Sequence, residues 1–232
     1  MKRLLLASAL VLATGTASFA ADAIEPAMPM EEAPMVFSWT GVYLGAQAGY
    51  LWGDGSFVAT NGDFANTSPD GFLGGIYAGA NMQLNNGFVI GAEADIAWTN
   101  ADDNVAGFNA AGVQYPFPAN GFEQDVNWTG AVRARLGYAV DRFLPYIAGG
   151  VAFADVNQTL VSAGVAYNRD NTYTGWTLGA GVEYAFTDNL IGRLEYRYTD
   201  FGDVDFGADG GLLPLTTDLT TNDVRVGISY KF

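Results

Sequence analysis

Between Thr40 and Phe232, apolar residues recur at every second position, which is the period of a β-strand with one apolar face. No stretch keeps the 3.6-residue period of an amphipathic helix over a useful length. The sequence therefore predicts an all-β chain. Eight alternating segments are predicted as strands, and they span residues 40–52, 72–84, 88–98, 128–140, 145–153, 174–186, 190–198 and 224–232.

The apolar rows of these strands exclude charge. None of their 49 residues is charged, although the 15% charged residues of the whole chain would place about seven there. The opposite rows hold all ten charges of the predicted strands. Two folds bury such an apolar row: a water-soluble barrel turns it inward, and a membrane barrel turns it outward into lipid.

Side-chain size decides between these two folds. The apolar rows are bulky and aromatic, whereas the charged rows are rich in Gly, Ala, Thr and Ser. Because the interior of an eight-stranded barrel is just wide enough to be filled by side chains, the smaller rows fit inside. A charge on the lipid face costs about 2–4 kcal/mol near mid-membrane, which accounts for the uncharged rows. The sequence therefore predicts an eight-stranded antiparallel transmembrane β-barrel.

The links between the predicted strands alternate in length. Three links are short and rich in turn residues, whereas four are long. This alternation is typical of bacterial outer-membrane barrels, with short turns in the periplasm and long loops outside the cell. Both termini are then expected in the periplasm. The short links are 85–87, 141–144 and 187–189, and the long links are 53–71, 99–127, 154–173 and 199–223.

The N-terminus has the pattern of a targeting segment. Lys2 and Arg3 precede an apolar run, and small residues follow up to Ala20, as in a signal peptide cleaved after that residue. A buried first helix is the alternative. Residues 21–37 contain three prolines and three glutamates and are predicted to form an extended, acidic periplasmic linker. The predicted organisation is a signal peptide (1–20), this linker (21–37) and a barrel (38–232) in the outer membrane of a Gram-negative cell.

Four tryptophans lie at the strand ends next to the long links. A transmembrane barrel carries its aromatic girdle at this level, where the ring meets both lipid and water. The predicted girdle consists of Trp52, Trp98, Trp128 and Trp176. A second girdle at the other end is predicted from Phe88, Tyr138, Tyr184, Phe186 and Phe232.

The charged residues of the inward rows are predicted to pair inside the lumen, because buried charges persist only when paired and hydrogen-bonded. Counting residues from the turn ends of the strands indicates which charges meet. The predicted pairs are Glu93 with Arg135, Asp95 with Arg133 and Glu183 with Arg193; Arg197 is expected level with Arg225, and Glu195 completes the network. This network is interpreted as a packed polar plug, and a charged pore constriction is the alternative.

Composition excludes several functions. Without Cys or His, the chain cannot form a Ser-His-Asp or Cys-His nucleophile, a His-liganded metal or a disulfide. A formal charge of −15 argues against nucleic acid as a partner. The inward carboxylates are flanked by arginines that keep them ionised, whereas a general acid needs a raised pKa. The sequence predicts no enzyme activity, no cofactor and no metal site.

Several segments resemble a known family. Residues 38–45 (SWTGVYLG), 133–138 (RARLGY), 175–183 (GWTLGAGVE) and 194–198 (LEYRY) are similar to the small porin-like surface antigens of alphaproteobacteria. These are outer-membrane proteins of roughly 25–31 kDa related in fold to the eight-stranded OmpA and OmpX barrels. The C-terminal segment resembles the signal that the barrel-assembly machinery recognises, and its alternating residues are Val224, Val226, Ile228, Tyr230 and Phe232.

The resemblance implies a function in the cell envelope. It implies an abundant barrel that contributes to outer-membrane integrity and to contact at the cell surface, with the long loops carrying any specificity. A narrow channel for passive diffusion of ions or small solutes is the alternative. The implied partners are outer-membrane lipid and lipopolysaccharide, the barrel-assembly machinery during biogenesis, and host or surface ligands through the loops. Some relatives bind haemin, but this chain has no histidine to ligate the iron.

Overall fold

The computed structural model describes residues 37–59, 62, 64–106, 108, 111–114, 121–162, 165–206 and 215–232. The predicted signal peptide (1–20) and residues 21–36 of the predicted linker lie outside the described residues. Among the described residues, no helix is long and apolar enough to cross a membrane. The strands are β1 (Gly41–Ala59), β2 (Phe64–Thr67), β3 (Asp70–Gln83), β4 (Phe88–Ala106), β5 (Gly121–Tyr138), β6 (Phe143–Ser162), β7 (Val165–Ala185), β8 (Leu190–Phe206) and β9 (Leu215–Lys231).

The strands form a closed antiparallel barrel. From β3 to β9 each strand pairs with the next, and β1 pairs with β3 on one side and with β9 on the other. The seam between β1 and β9 is continuous from Tyr43↔Lys231 to Ala59↔Leu215. The short strand β2 pairs with residues 55–58 of β1, and β3 pairs with residues 41–52 of β1. The two strands therefore lie one after the other along β1 and together form one of the eight positions in the wall. The predicted eight-stranded barrel is confirmed.

Three tight turns lie at one end of the barrel, which is called the turn end below, and the opposite end is called the far end. The turns occupy residues 84–87, 139–142 and 186–189. The second turn begins two residues earlier than predicted, because Val140 forms a bridge with Phe143 and β5 ends at Tyr138. Asp141 adopts a φ of 54° in this turn, a conformation that Asp tolerates better than most residues.

At the far end the strands continue well past their predicted ends. The structure extends β1 to Ala59, β4 to Ala106 and β8 to Phe206, through segments that the sequence analysis assigned to long loops. The prediction ended the strands where the outward row stops being apolar. The hydrogen-bonded ladder does not require an apolar face, so it persists beyond that level.

The predicted orientation of the two rows is confirmed by exposure. Outward residues such as Phe72 and Phe232 are 70% exposed, whereas the inward Arg133 is 1% exposed. Large aromatic side chains at that exposure need an apolar solvent, because a contiguous apolar surface of this extent is unstable in water. The outward apolar row of β1 runs from Val42 to Trp52, eleven residues, which is the length of a membrane-spanning strand.

A polar outward row begins immediately beyond the tryptophans. On β1 the outward row changes at Trp52 to Asp54 and Ser56, and on β7 it changes at Trp176 to Thr174 and Thr172. Because the β1–β9 and β6–β7 ladders continue across this level without a register shift, the change in residue type on these strands marks a change of solvent from lipid to water.

The lipid boundary yields a prediction on β7. Ala180 is exposed, faces outward and lies four residues from both Trp176 and Tyr184, at the middle of the apolar band. Ala180→Arg is expected to lower the free energy of unfolding by about 2–4 kcal/mol, the cost of a cation at mid-membrane. Thr174→Arg, on the same strand and face beyond Trp176, is the matched control and is expected to cost about 0–1 kcal/mol. Urea unfolding in lipid vesicles measures both, and equal costs would contradict the assigned boundary.

Candidate functional site

The lumen is filled by three layers of side chains. Along β4 the inward residues change from Val89 to Glu93 and Asp95, and then to Ala97. The other long strands contribute to the same layers. The turn-end seal comprises Phe37, Trp39, Val89, Leu144, Ala185 and Ile191. The far-end apolar layer comprises Leu51, Leu73, Ala97, Ala101, Val126, Ala131, Ala152, Ala154, Val156, Tyr173, Phe201 and Leu219.

Between these apolar layers lies the ion-pair layer. All of its members are at most 8% exposed. It contains five carboxylates and five guanidinium groups, so its formal charge is zero. Its members are Glu93, Asp95, Glu183, Glu195 and Asp223, with Arg133, Arg135, Arg193, Arg197 and Arg225.

The ion pairs join opposite walls of the barrel. Arg133 on β5 donates to Glu195 on β8 at 2.8 Å and to Glu93 on the neighbouring β4 at 2.7 Å. Arg193 on β8 donates to Glu93 at 3.0 Å through its Nη1 atom, and it also donates to Glu93 through its Nη2 atom. Arg135 on β5 lies 2.8 Å from Glu183 on β7. The side chains therefore cross the lumen and connect strands that share no ladder.

Asp95 organises the part of the layer nearest the far end. Arg197 donates to both carboxylate oxygens of Asp95, at 3.0 and 3.1 Å. Arg225 donates to the same carboxylate at 3.2 Å and to Asp223 at 2.5 Å. The carboxylate of Asp95 therefore binds two guanidinium groups at once, and its negative charge offsets the repulsion between them.

Three tyrosines complete the layer. Tyr43 donates to Glu93 at 2.8 Å, and Tyr146 donates to Glu195 at 2.7 Å. The guanidinium of Arg193 lies 4.0 Å from the ring centroid of Tyr77, within the range of a cation–π contact. These phenols occupy space that shorter polar side chains would leave open to water.

Glycines on the inner wall make room for these rings. A Cβ atom at Gly45 would lie 2.5 Å from the Tyr77 ring, and a Cβ at Gly181 would lie 2.7 Å from the Tyr146 hydroxyl. Both distances are shorter than a non-bonded contact allows. The Gly-rich inward rows therefore face bulky tyrosine and arginine side chains from other strands.

The turn-end seal is built from the segment that precedes β1. Trp39 is fully buried, its ring nitrogen donates to the carbonyl of Asp141 at 3.1 Å, and its amide donates to the side chain of Gln83 at 2.8 Å. Phe37, the last residue of the predicted linker, packs edge-on against Trp39 with ring centroids 5.0 Å apart. Lys231 donates to the carbonyl of Ser38 and lies over the Phe37 ring. The chain therefore enters the barrel mouth and closes it.

The predicted ion pairs are confirmed as contacts. Arg135 lies 3.5 Å from Glu93, Arg133 lies 3.9 Å from Asp95, and Glu183 is level with and bound to Arg193. Three of the predicted levels are wrong. They are Glu93 with Arg135, Asp95 with Arg133, and Arg197 with Arg225.

Each of these errors in level amounts to two residues, and the first two arise from the same β4–β5 register. Glu93 is level with Arg133, because β5 ends at Tyr138 and Val140 belongs to the turn. Arg197 is level with Asp223 and not with Arg225, because Leu190 pairs with Tyr230 and Phe232 extends past the end of β8.

Several residues of the site were not predicted. The sequence analysis assigns Asp223 to a long link. It lies on β9 two residues before Arg225 and continues the same inward row, so this alternation could have identified Asp223 as a lumen residue. Trp39, Tyr43, Tyr77 and Tyr146 were not included in the network. The inward position of the three tyrosines follows from the alternation, but their contacts with charges on other strands do not.

The remaining predicted site residues lie on the outer surface. Trp52, Trp98 and Trp176 are exposed, whereas Trp128 is half-buried and lies over Gly130. The residues of the predicted assembly signal all face outward on β9 or directly after it: Val224, Val226, Ile228, Tyr230 and Phe232. Among the described residues, no group of three acidic side chains has the arrangement to hold a metal ion.

An antiparallel barrel with an apolar outer band, a polar boundary and a filled, charge-paired lumen defines an outer-membrane β-barrel protein. The chain belongs to the outer membrane protein beta-barrel domain family, whose model matches residues 7–232. The resemblance to small alphaproteobacterial surface proteins is confirmed by curated relatives.

Two relatives illustrate this. The chain is 38% identical over 249 residues to the "31 kDa outer-membrane immunogenic protein" of Brucella melitensis biotype 1, with 100% of both chains covered. It is 36% identical over 205 residues to the "22 kDa outer membrane protein" of Rhizobium leguminosarum bv. viciae, covering 87% of this chain and 83% of the relative. The location is therefore the outer membrane of a Gram-negative cell.

A solved structure supports the fold. The outer membrane protein OprG from Pseudomonas aeruginosa matches with a TM-score of 0.56, covering 85% of this chain and 99% of that chain. The two sequences are 13% identical, so this likeness concerns the fold alone.

The ion-pair layer yields a prediction about stability. Arg193→Met leaves Glu93 with Arg133 and Glu183 with Arg135, but it removes one positive charge from the neutral layer. An uncompensated buried charge costs about 3–5 kcal/mol. Arg142→Met is the matched control, because Arg142 pairs with Asp188 at the same short range (2.7 Å), but its side chain is 36% exposed and that of its partner 71%. The control is expected to cost about 0–1 kcal/mol. Urea unfolding in detergent micelles measures both, and similar losses would contradict a charge-paired lumen.

The glycine rows yield a second prediction. Gly181→Ala places a Cβ 2.6 Å from the carbonyl oxygen of Leu194 and 2.7 Å from the Tyr146 hydroxyl, which donates to Glu195. Overpacking of this kind is expected to cost about 1–3 kcal/mol. Gly74→Ala is the control, because Gly74 faces outward and its Cβ would meet no atom within 4 Å. The temperature at which heat-modified mobility appears on detergent gels should fall for Gly181→Ala and stay unchanged for Gly74→Ala.

Proposed function

We propose that this protein is a structural barrel of the outer membrane, closed to solutes, that contributes to envelope integrity and to contact at the cell surface. The observation that carries the proposal is the ion-pair layer, in which five carboxylates and five guanidinium groups pair with one another inside the lumen. A channel for ions needs a continuous polar path with unpaired charges or dipoles along it. Here the charges neutralise one another and occupy the cross-section.

Two further layers support a closed lumen. The turn-end seal blocks one mouth with Trp39 and Phe37, and the far-end apolar layer fills the other half of the lumen with residues such as Leu51, Leu73 and Leu219. An apolar constriction excludes water and hydrated ions. The three layers lie in series, so opening one of them leaves the other two across the lumen.

The lumen is also unsuited to catalysis. Each carboxylate of the ion-pair layer lies within 4 Å of at least one guanidinium nitrogen. Each of these carboxylates is engaged by a guanidinium group, and the layers above and below leave a substrate no entry. We therefore assign no enzymatic role to the barrel.

The outer surface supports the assigned roles in the envelope. The far end is assigned to the cell exterior, because the turn end carries the short turns and both chain ends of the barrel, as in other bacterial barrels. The apolar band contacts lipid, the predicted tryptophan girdle meets lipopolysaccharide, and the predicted C-terminal signal engages the assembly machinery before the barrel closes. The strand extensions beyond the girdle form the part of the barrel that contacts the surroundings of the cell.

Conductance measurements test the closed lumen. Purified full-length protein in planar lipid bilayers is expected to show no conductance steps. Trp39→Ala, which removes the main side chain of the turn-end seal, is expected to stay silent as well, because the ion-pair layer still closes the barrel. Stable, reproducible steps from the wild-type protein would establish the diffusion channel instead. Steps from Trp39→Ala alone would show that the seal, and not the ion-pair layer, is the barrier.

A further inference from the structure

Residues 37–40 lie across the turn end and connect parts of the barrel that are far apart in the chain. The amide of Trp39 donates to the side chain of Gln83, at the end of β3, at 2.8 Å. Its ring nitrogen donates at 3.1 Å to the carbonyl of Asp141, in the turn between β5 and β6. This four-residue segment, which includes part of the turn-end seal, is called the strap below.

The last residue of β9 anchors the strap at the opposite end of the chain. The amide of Lys231 donates to the carbonyl of Asn189 at 2.7 Å, and the Asn189 side chain donates to the Lys231 carbonyl at 2.7 Å. These two bonds hold Lys231 against the turn between β7 and β8. From there its ammonium donates to the carbonyl of Ser38, 193 residues away in the chain. The same ammonium lies 4.2 Å from the centroid of the Phe37 ring, which is a cation–π contact.

Four strands build the pocket that Trp39 occupies. The tryptophan is fully buried, and it packs in one cluster with Val89 on β4, Leu144 on β6, Ala185 on β7 and Ile191 on β8. Each of these strands supplies one side chain to the cluster. The complete pocket therefore exists only when all four strands stand in their positions in the sheet.

The anchoring bond depends on the seam between the first and the last strand. Tyr43 is the register partner of Lys231, so the ammonium of Lys231 reaches Ser38 when β9 lies beside β1. Contacts between residues distant in the chain form late in folding, because the entropy of closing the loop has to be offset by contacts already made. The strap contacts are of this kind, and they use surfaces that the assembled strands provide.

We propose that the strap docks last, after β9 has paired with β1, and that it determines how slowly the closed barrel unfolds. Interactions that are absent from the folding transition state slow unfolding and leave the folding rate unchanged. The strap then stabilises the barrel by lengthening the lifetime of its closed state. This inference goes beyond the proposed function, and it is independent of whether the lumen conducts.

Folding and unfolding rates of the full chain test the proposal. Trp39→Ala is expected to raise the unfolding rate by at least about 100-fold, the rate equivalent of truncating a fully buried tryptophan. Its folding rate is expected to stay within about twofold of the wild type. Far-ultraviolet circular dichroism after urea jumps in detergent micelles measures both rates. A folding rate that falls about as much as the unfolding rate rises, or a chain that no longer folds, would place the strap in the folding nucleus and overturn the proposal.

Two variants of Lys231 test the anchor separately from the tryptophan. Lys231→Met removes the cation and its donor but keeps an unbranched side chain, and it is expected to raise the unfolding rate by about fivefold to tenfold. Lys231→Arg, the matched control, keeps a cationic donor and is expected to unfold within about twofold of the wild-type rate. An unfolding rate that Lys231→Met leaves unchanged would overturn the anchoring role of Lys231.

A single thiol reports the order of events directly. The chain has no cysteine, so Phe37→Cys introduces the only thiol, at a position that is 6% exposed. Brief pulses of a maleimide during folding are expected to label this thiol still when the heat-modifiable form has already appeared on gels, and protection is expected to follow. Ser38→Cys is the control, because the Ser38 side chain is exposed and should stay labelled throughout.

The order of these two signals decides the outcome. Protection of the Phe37→Cys thiol before the heat-modifiable form appears, or together with it, would overturn late docking of the strap. None of these readouts measures conductance, so the closed lumen and the role of the strap can fail separately.

Discussion

Arg133 and Arg193 reach across the lumen to carboxylates on the opposite wall, and this cross-lumen pairing is the constraint on which the rest of the barrel depends. Each buried charge costs several kcal/mol to remove from water, so the arrangement is stable only when every member has its partner in place. That requirement couples strands β4, β5, β7, β8 and β9, including the pairs β4–β8 and β5–β8, which share no ladder. Slippage of one strand by two residues would leave several charges unpaired, so the layer also specifies the register.

The outer and inner surfaces of the wall differ because a closed barrel places lipid on one side of the sheet and a narrow lumen on the other. Backbone groups in a membrane must all be paired, and a closed barrel is the sheet that achieves this without an edge. Outside, lipid accepts any bulky apolar side chain, so Phe72 and Phe232 need no partner. Inside, the narrow cylinder must be filled, so glycines such as Gly45 and Gly181 lie opposite tyrosine rings. Beyond the tryptophans both requirements end, and the strands continue with polar residues facing outward.

The candidate site was predicted in part. The inward position of Glu93 and Asp95 and their contacts with Arg135 and Arg133 follow from alternation and from the cost of an unpaired buried charge. The levels were wrong by two residues, because a strand that alternates up to Val140 gives no local sign that the hydrogen-bonded ladder ends at Tyr138. The contacts between β5 and β8 could not be predicted, since they depend on the diameter of the closed barrel and on the stagger of its strands.

The sequence by itself determines that this chain is a membrane barrel, because three of its features report local properties. The alternation reports the strand period, the uncharged rows report the solvent outside the wall, and the unequal links report the lengths of the turns and loops. They also determine which side chains face the lumen. Only the tertiary structure decides that Trp39 and Phe37 fold into the barrel mouth, that Asp223 completes a neutral layer, and that the strands extend beyond the level of the membrane. These features arise from contacts between residues far apart in the chain, and a period-two pattern carries no information about which distant residues meet.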